Sequence, residues 1–145
     1  MVEAAPSPAA APAAKPAPLA DLVGAVDIPY EQFTLANGLT TIVHTDRKGP
    51  LVGVTIYYRV GSKSEPKGRT GFAHLFEHLL FAGTKHIARG ETDKLVDAVG
   101  GTDSNGSTNF DRTNYFFTLP SNQLELGLWI KSDMLGYMID KVDAV

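Results

Sequence analysis

The chain has 145 residues, a net charge of −3 at pH 7, an isoelectric point near 5.7 and no cysteine. This acidic balance, without any basic run, argues against a nucleic-acid partner, because surfaces that bind nucleic acid are strongly basic. The sequence has no apolar stretch of the about 18–20 residues that a membrane-spanning helix needs. Disulfides and thiolate metal sites are excluded because cysteine is absent.

Alanine and proline dominate the start of the chain, and nearly every position from 4 to 20 is one of the two. Repeated proline prevents helix formation and favours an extended linker. The segment lacks the charged and apolar regions of a signal peptide. We expect residues 1–26 to be a disordered linker and residues 27–145 to be the folded part. Such linkers often follow a removed export signal, which favours a periplasmic or otherwise exported protein.

Strands and helices alternate irregularly after this linker. Two short apolar strands flank Asn37-Gly38, a strong hairpin signal, and alternating apolar residues predict a third strand over 52–60. A helix is predicted near 92–99, strands near 102–108 and 113–119, and a last helix over 121–139. Hairpins mixed with helices, without strict strand-helix-strand repeats, predict an α+β fold in which helices cover a mixed, mainly antiparallel sheet.

Buried faces can be predicted for two of the helices. On the helix that follows Thr70, its expected N-cap, we expect the apolar face formed by Phe72, Phe76 and Leu79 to be buried. On the last helix, we expect the core-facing stripe to consist of four apolar residues: Leu124, Leu128, Leu135 and Met138.

The most informative pattern is H-x-x-E-H, formed by His74, Glu77 and His78 on the first of these helices. Residues four apart on a helix lie one turn apart on the same face, so both imidazoles can bind one zinc ion. Glu77 lies beside them, where it can take a proton from a metal-bound water. This order of residues is the inverzincin signature of metallopeptidases. The alternative from the residues alone is a core helix whose histidines pair with their neighbours.

Four further segments surround the motif. YRVGSKSE (58–65) precedes it, and FAGT (81–84), GGTDSNGST (100–108) and DRTNY (111–115) follow it. Together with the motif, they resemble the pitrilysin-like peptidases, the family of insulin-degrading enzyme and mitochondrial processing peptidase. The similarity extends from about residue 30 to the end and is strongest to the short bacterial members. It implies a zinc-dependent endopeptidase whose N-terminal domain begins in this chain.

The resemblance also implies roles for individual residues. His74 and His78 match the family's zinc-ligating histidines, and Glu77 matches its general base. Three residues match the edge strand on which the family binds its substrate as an added β-strand: Asn105, Gly106 and Ser107. Taken alone, Asn105-Gly106 also fits an ordinary turn. The implied substrates are peptides or unfolded polypeptides, and the implied partner is a similar subunit in a homo- or heterodimer.

One expected part of the zinc site is missing. The family's third zinc ligand is a glutamate on a later helix, and no carboxylate before Val145 matches that position. Catalytic zinc normally has three protein ligands and a water, so two histidines should bind it weakly. We therefore expect this chain to be a truncated first domain that is inactive by itself.

Two other classes of function share part of this pattern. S-ribosylhomocysteine lyase also carries H-x-x-E-H on a helix, but its chemistry uses a cysteine, which this chain lacks. The second class is a non-catalytic peptide-binding or assembly subunit of a peptidase complex. Inactive partners in this family usually lack the motif, whereas this chain retains it, so the sequence favours the peptidase.

Overall fold

The computed structural model describes residues 18–138, and the chain divides into two compact units between Asp46 and Arg47. A short helix, α1 (Leu19–Gly24), lies inside the segment expected to be a disordered linker. Residues 1–17 of that segment lie outside the described part. The boundary between a linker over residues 1–26 and a peptidase domain over residues 27–145 therefore stays a prediction.

The smaller unit contains the predicted hairpin. Strand β1 (Glu31–Thr34) pairs antiparallel with β2 (Thr40–Val43). In the turn, Gly38 has a φ of +87°, which glycine adopts at no steric cost. The Asn37 side chain accepts a hydrogen bond of 3.1 Å from the backbone N–H of Leu39. The prediction from Asn37-Gly38 is confirmed.

Between residues 47 and 138, the larger unit contains three strands, three α-helices and two 3₁₀ turns. Its elements are β3 (Leu51–Tyr58), a 3₁₀ turn (Ser62–Ser64), α2 (Phe72–Phe81), α3 (Glu91–Ala98), β4 (Thr102–Thr108), β5 (Thr113–Pro120), a 3₁₀ turn (Ser121–Gln123) and α4 (Leu124–Tyr137). The strands form an antiparallel sheet in the order β3-β5-β4, so β4 lies at an edge of the described sheet. The predicted α+β class is confirmed.

One face of this sheet forms the core. Alternate residues of the central strand β5 point into it, and cross-strand pairing places Ile56 and Gly106 on either side of Tyr115. The buried apolar residues of the core are Leu80, Ile87, Val96, Tyr115, Phe117, Leu119, Ile130 and Met134. At about 25 cal/mol per Å² of buried apolar surface, such side chains supply most of the driving force for folding.

The buried face of α4 differs from the predicted stripe. Leu124, Leu128 and Leu135 are 41%, 54% and 42% exposed, and the helix instead buries Gly127 and Ile130. An added Cβ at Gly127 would lie 2.9 Å from the Leu119 side chain, so glycine allows the helix to approach the sheet closely. The prediction was wrong for these three leucines because both faces of α4 are apolar and the contacting face contains a glycine, whereas Met138 is partly buried against the core as predicted.

A lysine lies on the same buried face. Lys131 is 5% exposed, and its ammonium lies 4.1 Å from the centre of the Phe117 ring and 4.0 Å from the sulfur of Met134. No carboxylate pairs with it within residues 18–138. Burial lowers the pKa of Lys131 to about 7, although the attraction of the Phe117 ring for a cation offsets part of this effect.

We expect Lys131→Met to raise the free energy of unfolding at pH 7 by on the order of 2 kcal/mol. The unfolded chain binds this proton up to about pH 10.4, whereas the folded chain releases it near pH 7, so the parent protein becomes more stable as pH rises between these values. The variant should lack that slope. Urea unfolding at pH 7 and pH 9.5 measures both effects.

The exposed Lys94 on α3 provides the control. Lys94→Met should leave the stability and its pH dependence unchanged. An equal gain in both variants, or an unchanged pH slope in Lys131→Met, would contradict the assignment of the slope to Lys131.

Candidate metal centre

The helix that carries the motif is held at its N-terminus by a distant carboxylate. Glu65 accepts hydrogen bonds of 2.8 Å from the backbone N–H groups of both Gly71 and Ala73. These are groups that a helix cannot satisfy internally, and a negative charge there also suits the helix dipole. The cap residue is Gly71, with a φ of +99°, and not the predicted Thr70.

The buried face of α2 also differs from the prediction. The helix buries Ala73, Glu77 and Leu80, whereas Phe72 and Phe76 are 43% and 44% exposed. The two phenylalanines therefore face outward, Leu79 is partly buried, and a carboxylate faces inward beside Ala73 and Leu80. Hydrophobicity alone predicts the reverse, because it does not record that Glu77 has a specific hydrogen-bond partner on the sheet.

The two histidines of the motif converge. His74 Nε2 and His78 Nε2 lie 3.1 Å apart, and the ring centres are 4.7 Å apart. Two nitrogens bound to one tetrahedral zinc at about 2.0–2.1 Å lie about 3.3 Å apart. The observed separation fits this value, and both rings are solvent-exposed. The pair can therefore supply two metal ligands without rearrangement of the helix.

Glu77 is only 8% exposed and is oriented by the sheet. Its Oε2 accepts a short hydrogen bond from the hydroxyl of Thr108, at the end of β4. Its Oε1 has no hydrogen-bond partner among residues 18–138. Burial, followed by the neighbouring Tyr58 and Glu77, raises the pKa of Tyr115 above its ordinary value. Tyr115 therefore stays protonated beside the carboxylate.

A third ligand is not found within the described residues. Between residues 18 and 138, no three histidine or carboxylate side chains form a group that could bind a metal. Asp133, on α4, is instead engaged by the hydroxyl of Thr84 and by His86 Nδ1 at 2.5 Å. Although burial raises the pKa of Asp133, these hydrogen bonds outweigh it and lower the pKa. The other late carboxylates, Asp140 and Asp143, lie outside the described residues.

The three residues that match the family's substrate-binding edge strand lie on β4, and β4 packs against α2. Asn105 Oδ1 accepts a hydrogen bond of 2.8 Å from the backbone N–H of Gly106. An added Cβ at Gly106 would lie 3.1 Å from both the Phe81 and Tyr115 rings, so glycine allows the close packing of α2 on β4. The side chain of Ser107 bonds to Asn114 on β5. The structure thus brings the H-x-x-E-H helix and this edge strand together.

The H-x-x-E-H motif does not reveal three residues that act in this region. Thr108 orients Glu77, Glu65 caps α2, and Arg112 bonds to Ser107. Each contact joins residues that are apart in sequence and depends on the fold, so no spacing rule reveals it. All three residues do lie within segments 58–65, 100–108 and 111–115, which carry the family resemblance.

Comparison with known proteins establishes the family. The model of the insulinase family, peptidase family M16, matches residues 40–136. The chain therefore belongs to peptidase family M16. It is 39% identical over 115 residues to the zinc protease PqqE of Helicobacter pylori, an alignment that covers 79% of this chain and 26% of PqqE. It is 31% identical over 97 residues to insulin-degrading enzyme of Homo sapiens, covering 66% of this chain and 9% of that enzyme.

Solved structures agree with the fold. A protease from Helicobacter pylori matches with a TM-score of 0.71 and 38% identity, over 76% of this chain and 26% of that one. The first half of the periplasmic protease PqqL from Escherichia coli matches with a TM-score of 0.69 and 26% identity, over 75% of this chain and 25% of that one. The chain thus spans about a quarter or less of these relatives. No helix within residues 18–138 is long and apolar enough to cross a membrane.

Proposed function

We propose that the protein is a zinc-dependent endopeptidase in which His74 and His78 bind the metal and Glu77 is the general base. One observation carries this proposal: two imidazole nitrogens 3.1 Å apart lie on the helical turn that also presents a buried, oriented carboxylate. A third ligand, expected to be a glutamate, comes from outside residues 18–138. The zinc protease named among the relatives supports the choice of metal.

Glu77 is suited to moving a proton. Thr108 holds one oxygen of its carboxylate, and the other is free to accept a proton from an attacking water and then deliver it to the leaving amine. When zinc is bound, it lowers the pKa of its water towards 7 and polarises the scissile carbonyl. The fixed carboxylate avoids a reorganisation at the moment of reaction, because Thr108 already holds one of its oxygens in place.

The substrate in this proposal lies along β4 as an added strand, paired with the backbone of Asn105, Gly106 and Ser107. The edge position of β4 in the described sheet and its packing against α2 support this placement. Backbone pairing gives affinity with little side-chain selectivity. We therefore propose peptides and unfolded polypeptides as the substrate class.

The wider setting of the enzyme is part of the same proposal. We propose that residues 1–26 are a linker and that residues 27–145 are the N-terminal portion of the peptidase domain. An exported, periplasmic location is supported by the Ala/Pro-rich start and by the periplasmic relative PqqL. In its full-length form the protein pairs with a similar subunit, as a homo- or heterodimer.

A non-catalytic peptide-binding subunit remains the second candidate. It is supported by the finding that residues 18–138 provide two converging metal ligands and not three. Such a protein would bind peptides along β4 without cleaving them. The two candidates therefore differ in turnover and not in binding.

The deciding experiment removes the metal from the protein prepared at its full natural length. We expect cleavage of an unfolded polypeptide to stop after chelation and to return with stoichiometric zinc. The polypeptide should still bind to the metal-free protein, because β4 needs no metal for backbone pairing. Cleavage that persists without metal would contradict the zinc peptidase, and binding without any turnover in zinc would favour the second candidate.

A further inference from the structure

The loop between β4 and β5 carries an arginine whose side chain contacts β4, the strand along which the substrate is proposed to bind. Arg112 Nη1 donates hydrogen bonds to Ser107 Oγ at 2.8 Å and to Asn114 Oδ1 at 2.6 Å. Ser107 Oγ in turn donates to Asn114 Oδ1 at 2.7 Å. This polar cluster of Arg112, Ser107 and Asn114 holds the half-buried guanidinium beside the edge strand.

The charge of Arg112 has no counterion among residues 18–138, and its cluster contains only neutral groups. A guanidinium has five N–H donors in a planar fork. Beyond the two contacts made by Nη1, the donors of Nε and Nη2 have no partner among the residues from 18 to 138. A pair of parallel donors of this kind matches the two oxygens of a carboxylate, and such bidentate contacts are among the strong hydrogen bonds of proteins.

The register of the sheet places the cluster within reach of a bound peptide. Ser107 is paired with Asn114, so its side chain lies on the opposite face of the sheet from Gly106. A strand added at the outer edge of β4 would have one residue directly across from Ser107 on that face. The Cβ atoms of such a pair lie about 4.5–5.5 Å apart. A carboxylate on that residue is therefore close to the guanidinium that Ser107 holds.

We propose that Arg112 is a specificity-determining residue that selects peptides with Asp or Glu opposite Ser107. This inference rests on the proposed function, since it requires a peptide bound along β4. It gives the substrate class a chemical preference: backbone pairing accepts many sequences, and one fixed cation favours an acidic side chain at one position. The partial burial of Arg112 makes the preference stronger than a fully exposed ion pair would.

The test uses the zinc-loaded protein at its full natural length and a peptide in which each position in turn is Asp or the isosteric Asn. At one position we expect kcat/KM to be about tenfold higher for Asp, which corresponds to about 1.4 kcal/mol. Arg112→Gln should abolish this discrimination, so that the ratio of kcat/KM for the Asp and Asn peptides falls to about one at that position. Arg112→Lys should retain part of it, because the charge remains without the fork. Higher ionic strength should weaken it in the parent protein.

Three outcomes would overturn the inference. The parent protein could cleave Asp and Asn peptides equally at every position, a result that needs no variant and so does not depend on folding of Arg112→Gln. The preference could also persist unchanged in Arg112→Gln and Arg112→Lys. Finally, failure to cleave any peptide in the presence of zinc would remove the proposed function itself, and the specificity assignment with it. The first two outcomes leave peptidase activity standing, so the two failures are distinguishable.

Discussion

Replacing Glu77 with glutamine should reduce kcat/KM for peptide cleavage by about 10²–10⁴-fold while bound zinc stays at the parent level. Glutamine preserves the shape of the side chain, and its carbonyl oxygen can still accept the hydrogen bond from Thr108. The amide cannot accept the proton of an attacking water, however. Loss of turnover without loss of metal or fold is therefore the signature of a general base.

Kinetics with a peptide substrate and zinc content of the same sample measure this prediction. Glu125→Gln is a matched control, because Glu125 is an exposed carboxylate at the start of α4 and should tolerate the same change. The role of Glu77 as the base would be contradicted if Glu77→Gln retained most of the activity with zinc bound. A loss of zinc together with activity would instead assign Glu77 to the structure of the site.

The metal-binding helix shows what sequence spacing can predict and where it fails. The i, i+4 separation of His74 and His78 is a property of helix geometry, so their convergence followed from the sequence. Which face of α2 is buried did not follow. Phe72 and Phe76 are exposed and Glu77 is buried, because a hydrogen bond from a strand thirty-one residues later compensates the carboxylate.

Other parts of the fold were predictable to different degrees. The hairpin at Asn37-Gly38 was predicted from turn chemistry and the strand over 52–60 from apolar alternation, which are local signals. The packing of α4 was not, because its contact with the sheet is made by Gly127 beside a buried lysine. The positions of Glu65 and Arg112 depend on loops, for which periodicity provides no signal.

Replacing either motif histidine with alanine should remove most of the bound zinc and, with it, the peptidase activity. His74 and His78 provide two of the three protein ligands in the proposed site, and one remaining imidazole with one carboxylate binds zinc far more weakly. The fold should survive in both variants, since the two rings are exposed and take no part in the core. Bound zinc per chain and the unfolding transition measure the two effects separately.

The measurement closest to the central claim is the zinc content of His74→Ala and His78→Ala beside that of the parent protein at its full natural length, after dialysis against metal-free buffer. His44→Ala is the matched control, because His44 is exposed and its Nδ1 lies 2.6 Å from the backbone oxygen of Pro29. We predict one zinc per chain in the parent protein and in His44→Ala, and nearly none in the two motif variants. One zinc per chain retained by both motif variants would contradict a metal centre on α2.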